Sequence, residues 1–352
     1  MSLHYRPDWE QVRERHVAWW KRELTDRPLV YINYPREGAQ DDLESPTPAN
    51  PKDRYLNVEY RIKCFEGVLR KTGFHADAVP SFSTTIAPGD LALFAGAHPK
   101  FSQDTVWFNP VMDDITKAEV PRYDPDKEYW KTVLDLMSKG MKHFKSKSLV
   151  SFPDLIEGLD ILAALRGTKE LLLDMCYHRD HVHRFQRALL ELYFEYYDRC
   201  YEITRDGTGG SCFWIWAPGR IAKLQCDFSA MISPVMFEEF VVPYLSKQCQ
   251  CLDHSFYHLD GPGAIRHLDL LLDIPDLDGI QWTPGAGNAT VDSPQWFPMY
   301  RKIQKRGKLL LLFDANKKHI RRLVQDLSPE GLLIRTSCLY REEADELFGK
   351  VL

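Results

Sequence analysis

The sequence predicts an α/β protein, a TIM-type (β/α)8 barrel preceded by an N-terminal helical extension. Three observations predict it. From about residue 74, short strand-like segments alternate with helical patterns, which argues for a parallel sheet. Several strands read as unbroken apolar runs, such as Leu309-Leu310-Leu311-Leu312-Phe313, and this suits a sheet covered on both faces. The length of 352 residues and the number of strands fit one closed barrel better than an open sheet. The expected division is 1–73 for the extension and 74–352 for the barrel.

Taken in order, residues 8–24 read as a helix with Asp8 as N-cap and Val12, His16, Trp19 and Trp20 near one face. Arg27-Pro28 ends it, and 29–34 is a short strand. Residues 35–54, rich in proline and acids, read as an irregular loop. A second helix, 55–71, closes at Thr72-Gly73. Strands are expected at 76–82, 149–154, 211–216, 226–232, 255–260, 277–282, 309–314 and 332–338. Helices are expected at 159–165, 169–176, 180–205, 234–250, 264–272, 294–305, 317–327 and 341–351. The last four strand-helix units are the clearest. Between 211 and 232 two strands are joined by little more than Ala217-Pro218-Gly219-Arg220, too short for a parallel crossover. One of them is expected outside the barrel, with 29–34 or 105–108 making up the number.

The formal net charge of -5 counts against a nucleic-acid partner, which would call for a basic stripe. The apolar runs are too short to span a membrane. The N-terminus lacks the apolar core of a secretory signal, so a cytoplasmic protein is expected. Eight scattered cysteines, mostly in apolar contexts, read as small hydrophobes and not as a disulfide framework.

The stretch Ser255-Phe256-Tyr257-His258-Leu259-Asp260-Gly261-Pro262-Gly263 is the richest in chemistry. His258 and Asp260 are two apart on a strand, so they share a face just before a sharp loop. Both residue types bind metals or move protons; without a metal, His258 held by Asp260 is a candidate general acid or base. Trp214 and Trp216 alternate with Phe213 and Ile215, so on one strand both indoles face one way. With Arg220 they make either an aromatic wall with a cation for an acidic group, or a core strand followed by a surface arginine. Trp282 opens a Gly-rich loop, Thr283-Pro284-Gly285-Ala286-Gly287-Asn288, read as a shaped substrate loop. Asp314 and Asp154 read as loop or helix caps. Cys249, Cys251 and His254 diverge at a helix end and are not expected to hold a metal.

Three stretches resemble the uroporphyrinogen decarboxylase superfamily, which includes the corrinoid-dependent methyltransferases. They are Leu165-Arg166-Gly167-Thr168-Lys169-Glu170-Leu171, then Asp227-Phe228-Ser229-Ala230-Met231-Ile232-Ser233-Pro234 leading to Phe237-Glu238-Glu239-Phe240 and Pro243-Tyr244, and the His258 strand with the C-terminal units. The resemblance spans roughly residues 150–352. It implies a TIM-type barrel with chemistry at the C-terminal ends of the strands, and it places Asp227 at the mouth as a third catalytic candidate beside His258 and Asp260, the alternative for Asp227 being a loop-capping aspartate.

Two departures count against porphyrinogen decarboxylation. The Arg-Gln-Ala-Gly-Arg motif is replaced by Tyr31-Ile32-Asn33-Tyr34-Pro35-Arg36, and Phe82-Ser83 is followed by Thr84 where an aspartate is wanted. An octacarboxylate substrate needs paired cationic donors. The corrinoid branch binds zinc through His-x-Cys and a distant Cys, so the resemblance implies a zinc set of His258, Asp260 and Cys338, with Asp260 where the branch has Cys. It also implies a corrinoid carried by a partner protein, since this chain lacks the Asp-x-His-x-x-Gly corrinoid signature. The expected function is methyl transfer to or from that corrinoid. The alternatives are a decarboxylase or lyase on a carboxylated cyclic substrate, with Asp227 and His258 handling protons and Arg220 holding a carboxylate, and a non-catalytic ligand-binding barrel. A small-molecule substrate is expected, and the aromatic-rich N-terminal segment makes a homodimer an expectation.

Overall fold

In the computed structural model, which describes residues 2–38, 46–156 and 158–351, the alternating apolar segments become strands. They are β1 (Leu29–Pro35), β2 (Thr72–Ala76), β3 (Ser81–Phe82), β4 (His98–Phe101), β5 (Val106–Asn109), β6 (Leu149–Val150), β7 (Ser211–Phe213), β8 (Ile215–Ala217), β9 (Ile221–Gln225), β10 (His254–Asp260), β11 (Gly279–Thr283), β12 (Leu309–Leu312) and β13 (Leu332–Ser337). Seven of them form one sheet in the order β2-β1-β13-β12-β11-β10-β9. All its pairs are parallel except β1 with β2. β3 pairs with β6 in a separate parallel ladder. The fold is therefore mixed α/β, with a mostly parallel central sheet flanked by helices. Among the described residues the ladder runs from β2 to β9 without closing, where a closed eight-stranded barrel was expected.

The sheet is buried because its strands are apolar on both faces. Leu309, Leu310, Leu311, Leu312, Leu333 and Ile334 are all inaccessible to water. Outside the sheet run helices Phe297–Lys305, Ile320–Asp326 and Arg341–Val351, and the 26-residue helix Arg179–Thr204. No helix among the described residues is long and apolar enough to cross a membrane. All eight cysteines are free.

The N-terminal segment is woven into this core. β1 lies inside the sheet, between β2 and β13. Helix Trp9–Trp20 buries Val12, His16, Trp19 and Trp20. Asp8 makes no capping bond; its carboxylate accepts from Arg6 at 2.9 Å. The expected helix at 55–71 is two helices, Pro51–Leu56 and Val58–Lys71, the second capped by Asn57, whose side chain accepts from the Tyr60 N–H at 3.0 Å. Part of the loop expected at 35–54, residues 39–45, lies outside the described residues.

The largest departures fall between 211 and 232. The expected strand at 211–216 breaks at Trp214, which takes the left-handed region with φ 58°. The chain reverses there, and β7 and β8 form an antiparallel hairpin with Cys212 opposite Trp216. The expected strand at 226–232 is a 3-10 helix, Asp227–Met231, and the sheet strand is the preceding Ile221–Gln225. Lys223, in the middle of that strand, hid it: a lysine reads as surface, yet its ammonium is buried and donates to Asp154 Oδ2 at 2.8 Å. Helix Glu128–His143 was not anticipated at all.

Candidate active site at the C-terminal edge of the sheet

Three neighbouring parallel strands build the site. The register sets His258 of β10 opposite Gln225 of β9 on one side and Gln281 of β11 on the other. Alternation along β10 puts Phe256, His258 and Asp260 on one face. β9 ends at Gln225, and the 3-10 helix that follows carries Asp227 over the strand ends. Asp160 anchors this turn, its carboxylate accepting from the backbone N–H of Asp227 and of Phe228, both at 2.8 Å. One ligating atom each from Asp227, His258 and Asp260 lies within 4.8 Å of the others.

Hydrogen bonds fix the tautomer of His258 and the orientation of the side chains beside it. Gln281 Nε2 donates to the Trp282 carbonyl at 2.8 Å and to Thr283 Oγ1 at 3.0 Å. Its Oε1 must then accept, so the His258 proton that meets it sits on Nδ1, and Nε2 keeps its lone pair. Gln225 is pinned in the same way. Its Oε1 accepts from the Lys223 ammonium, and its Nε2 donates to Asp227 Oδ2 at 2.8 Å.

The electrostatics follow from burial and crowding of like charge. Burial, then Asp160 and Asp260, pushes the Asp227 carboxyl up to about 7. Asp227 itself remains exposed, on the wall of a cavity. Burial alone raises Asp260. Burial, helped by the Lys223 charge, lowers the His258 imidazole to about 4. Asp260 Oδ1 is buried without a hydrogen-bond partner.

Two cavities flank the cluster. One, of about 560 Å³, is lined by Trp214, Gln281, Thr283, Phe313 and Arg335 among others. The other, of about 490 Å³, is lined by Trp107, Asp160, Gln225, Asp227 and Met231 among others. Trp214 stands edge-on to His258 with ring centres 5.7 Å apart and meets Phe313 at the same separation. The Arg335 guanidinium lies 4.1 Å over the Phe313 ring and is bonded to exposed Asp314 at 3.2 Å.

The structure thus brings together His258, Asp260, Asp227 and Trp214. It carries the other expected residues elsewhere. Trp216 is at the opposite end of the strands, because the hairpin reverses at Trp214; it packs edge-on to Trp9 at 5.6 Å and donates to Asp206 at 2.8 Å. Arg220 precedes β9, at the N-terminal edge, where it bonds Asp198 and covers the Tyr197 ring at 4.8 Å. Trp282 does line the cavity of about 560 Å³, but it is fully buried; alternation turns its indole away from Gln281 and Thr283, onto Trp296 at 5.0 Å. Cys338 lines a separate cavity of about 450 Å³ with Asn33, Arg36 and Lys71, and burial pushes its thiol up to about 11. Asp314 is no helix cap; Asn316 takes that role, accepting from the Lys318 N–H at 3.0 Å. Asp154 pairs with Lys223, Cys249 is buried and Cys251 exposed.

Sequence reasoning missed Asp160, Lys223, Gln225, Gln281 and Arg335. The signal was there for Gln225, Gln281 and Arg335, each a polar residue near the end of an otherwise apolar strand, while Lys223 sits mid-strand and masked its strand. Such residues face an interior that must be polar at its mouth.

No family model and no curated protein matches the chain. Among solved structures, one described as a methyltransferase from Methanosarcina mazei superposes with a TM-score of 0.65 at 13% identity, over 96% of this chain and 97% of that one. At that identity the likeness shows a common fold along the whole chain. The superfamily resemblance itself continues to rest on the sequence motifs.

Proposed function

We propose that this chain is an enzyme of methyl transfer, working at the C-terminal edge of the sheet in the cavities that flank Asp227, His258 and Asp260. The observation that carries the reading is the convergence of three proton- or cation-accepting side chains beside an open cavity walled by Trp214, whose ring stands 5.7 Å from that of His258, and Phe313. The full-length fold likeness to a protein described as a methyltransferase supports it. In this reading the methyl group travels on the corrinoid of a partner protein, as the sequence resemblance implies. The residues of this chain bind the other substrate, orient it against Trp214 and receive its proton. The X–H bond of the acceptor breaks, an X–CH3 bond forms, and the methyl donor keeps the electron pair of the bond that breaks.

The zinc set implied by the resemblance, His258 with Asp260 and Cys338, does not fit the geometry. Cys338 belongs to another cavity, and the atom that joins the cluster comes from Asp227. No step is therefore assigned to a thiolate-bound zinc.

One observation favours a second reading, a lyase acting by proton transfer. A carboxyl raised to about 7, as in Asp227, both takes and gives a proton near neutrality. In that case Arg335, not Arg220, would hold a substrate carboxylate.

The test is to follow the visible spectrum of methylcobalamin mixed with the protein and a panel of thiol and amine acceptors. Acceptor-dependent loss of the methylcobalamin spectrum that disappears in His258→Ala supports methyl transfer. No loss with any acceptor, together with carbon dioxide release from a carboxylated substrate, moves the assignment to the lyase.

A further inference from the structure

We infer that Asp227, His258 and Asp260 form a binding site for one divalent cation, with Gln225 and Gln281 as the positioning residues that aim its donors. The inference deepens the functional reading above and concerns the same site, but its donor set differs from the thiolate set that the sequence resemblance implies.

Four observations carry it. First, one oxygen, one nitrogen and one further oxygen stand within 4.8 Å of each other. Donors on opposite sides of an octahedrally bound ion stand about 4.2 Å apart when the bonds are about 2.1 Å, so the cluster needs only a small closure to hold one. Second, the His258 tautomer is set from outside the cluster. Gln281 has both amide hydrogens occupied by Trp282 and Thr283, so its Oε1 accepts from Nδ1–H and leaves the Nε2 lone pair for a ligand. A ligating histidine is held by just such a partner on its other nitrogen. Third, Lys223 occupies Gln225 Oε1, so Gln225 can only donate to Asp227 and turns that carboxylate to a fixed angle. Gln225, His258 and Gln281 stand side by side in register across three strands, and the two glutamines act from either flank. Fourth, Asp260 Oδ1 is buried with no partner, which costs free energy unless something that accepts its lone pair arrives.

The charges agree. Asp160, Asp227 and Asp260 stand around this point, and the nearest ammonium, Lys223, is already committed to Asp154 and Gln225. Two oxygens and one imidazole nitrogen make a hard to borderline donor set, suited to manganese or zinc, with three protein ligands and open positions left for a substrate. When bound, such an ion lowers the pKa of a coordinated X–H group.

The test is calorimetric titration of the metal-stripped full chain with MnCl2 and with ZnCl2. The expected result is one ion per chain for at least one of the two metals. Asp227→Asn and His258→Gln should each weaken binding at least about tenfold, and Cys338→Ser should leave it unchanged. Gln281→Leu should weaken it by about 10- to 100-fold, while Gln281→Glu, which still accepts from Nδ1–H, should stay within a few-fold of wild type. Circular dichroism and the urea midpoint show that each variant is folded. The site is overturned if neither metal binds stoichiometrically, or if Cys338→Ser loses the ion while Asp227→Asn keeps it. The positioning role is overturned if Gln281→Leu binds as tightly as wild type. Binding is read without turnover, so failure of methyl transfer in a protein that binds the ion would remove the functional reading and leave this one standing.

Discussion

Lys223→Met tests the buried pair on which the site rests. The Lys223 side chain is 2% exposed and that of Asp154 12%, and the two meet at 2.8 Å. The ammonium also lies 5.4 Å from the Trp214 ring and 5.7 Å from that of Phe213. Methionine keeps the length of the stem but leaves a buried carboxylate without its cation. Breaking such a pair from one side costs about 3–5 kcal/mol. Burial already raises Asp154, and the Lys223 charge is what opposes the rise. In the variant the folded pKa of Asp154 climbs further above its unfolded value. The sign follows: protonation of Asp154 restores stability at low pH, and the deficit grows as pH rises through the new folded pKa.

The assay is urea unfolding at pH 5 and pH 8 for wild type, Lys223→Met, Asp154→Asn and the double variant. The single lysine variant should lose about 3 kcal/mol or more at pH 8 and less at pH 5. The double variant should recover about 2 kcal/mol relative to the sum of the singles, because no charge is then left unpaired. A cost below about 1 kcal/mol, or strict additivity, would refute the argument that this pair is a buried, mutually dependent one.

Three further outcomes are expected. His16 is buried, its Nδ1 donating to the Val12 carbonyl at 2.7 Å and its Nε2 meeting the Tyr31 hydroxyl; burial lowers it to about 4. Its contribution to stability is present above pH 6.5 and is lost as pH falls through about 4, amounting to about 3 kcal/mol; His16→Gln should show a correspondingly shallower acid slope in urea unfolding, and an unchanged slope would contradict this. Gly210→Ala would place a Cβ 2.3 Å from the Trp216 ring, which its bond to Asp206 holds in place. A loss of about 1–3 kcal/mol in urea unfolding is expected, and a loss below about 0.5 kcal/mol would show that the ring can withdraw. Trp214→Gly removes the cavity wall while relieving a backbone at φ 58° that side chains resist. The KM for the small-molecule substrate should rise several-fold with the urea midpoint little changed; a large loss of stability with unaltered KM would make Trp214 a core residue.

Some of this molecule was legible from residue order alone. The apolar runs of β10 to β13 and the helices between them are local signals, strong because each strand is buried on both faces. The placement of His258 and Asp260 on one face of one strand is equally local, since it needs only alternation with period two. Local periodicity also misled. It read Trp214 and Trp216 as neighbours on one face, because nothing in Phe213-Trp214-Ile215-Trp216 announces that Trp214 adopts a left-handed φ and reverses the chain. It sent Arg220 to the substrate, although a residue just before a strand lies at the opposite end from one just after it.

Only the tertiary structure decided which side chains share the site. Cys338 and Asp227 both follow the ends of parallel strands, yet those strands, β13 and β9, are separated in the sheet by β12, β11 and β10. Asp227 reaches His258 because β9 lies next to β10, and Cys338 does not because β13 lies next to β1. Register made the same kind of choice for Gln225 and Gln281: their value as hydrogen-bond partners comes from standing level with His258 on adjacent strands. A single strand states which face a residue takes. Strand order and register are long-range, set by how three separate segments pack, and they settled which residues meet.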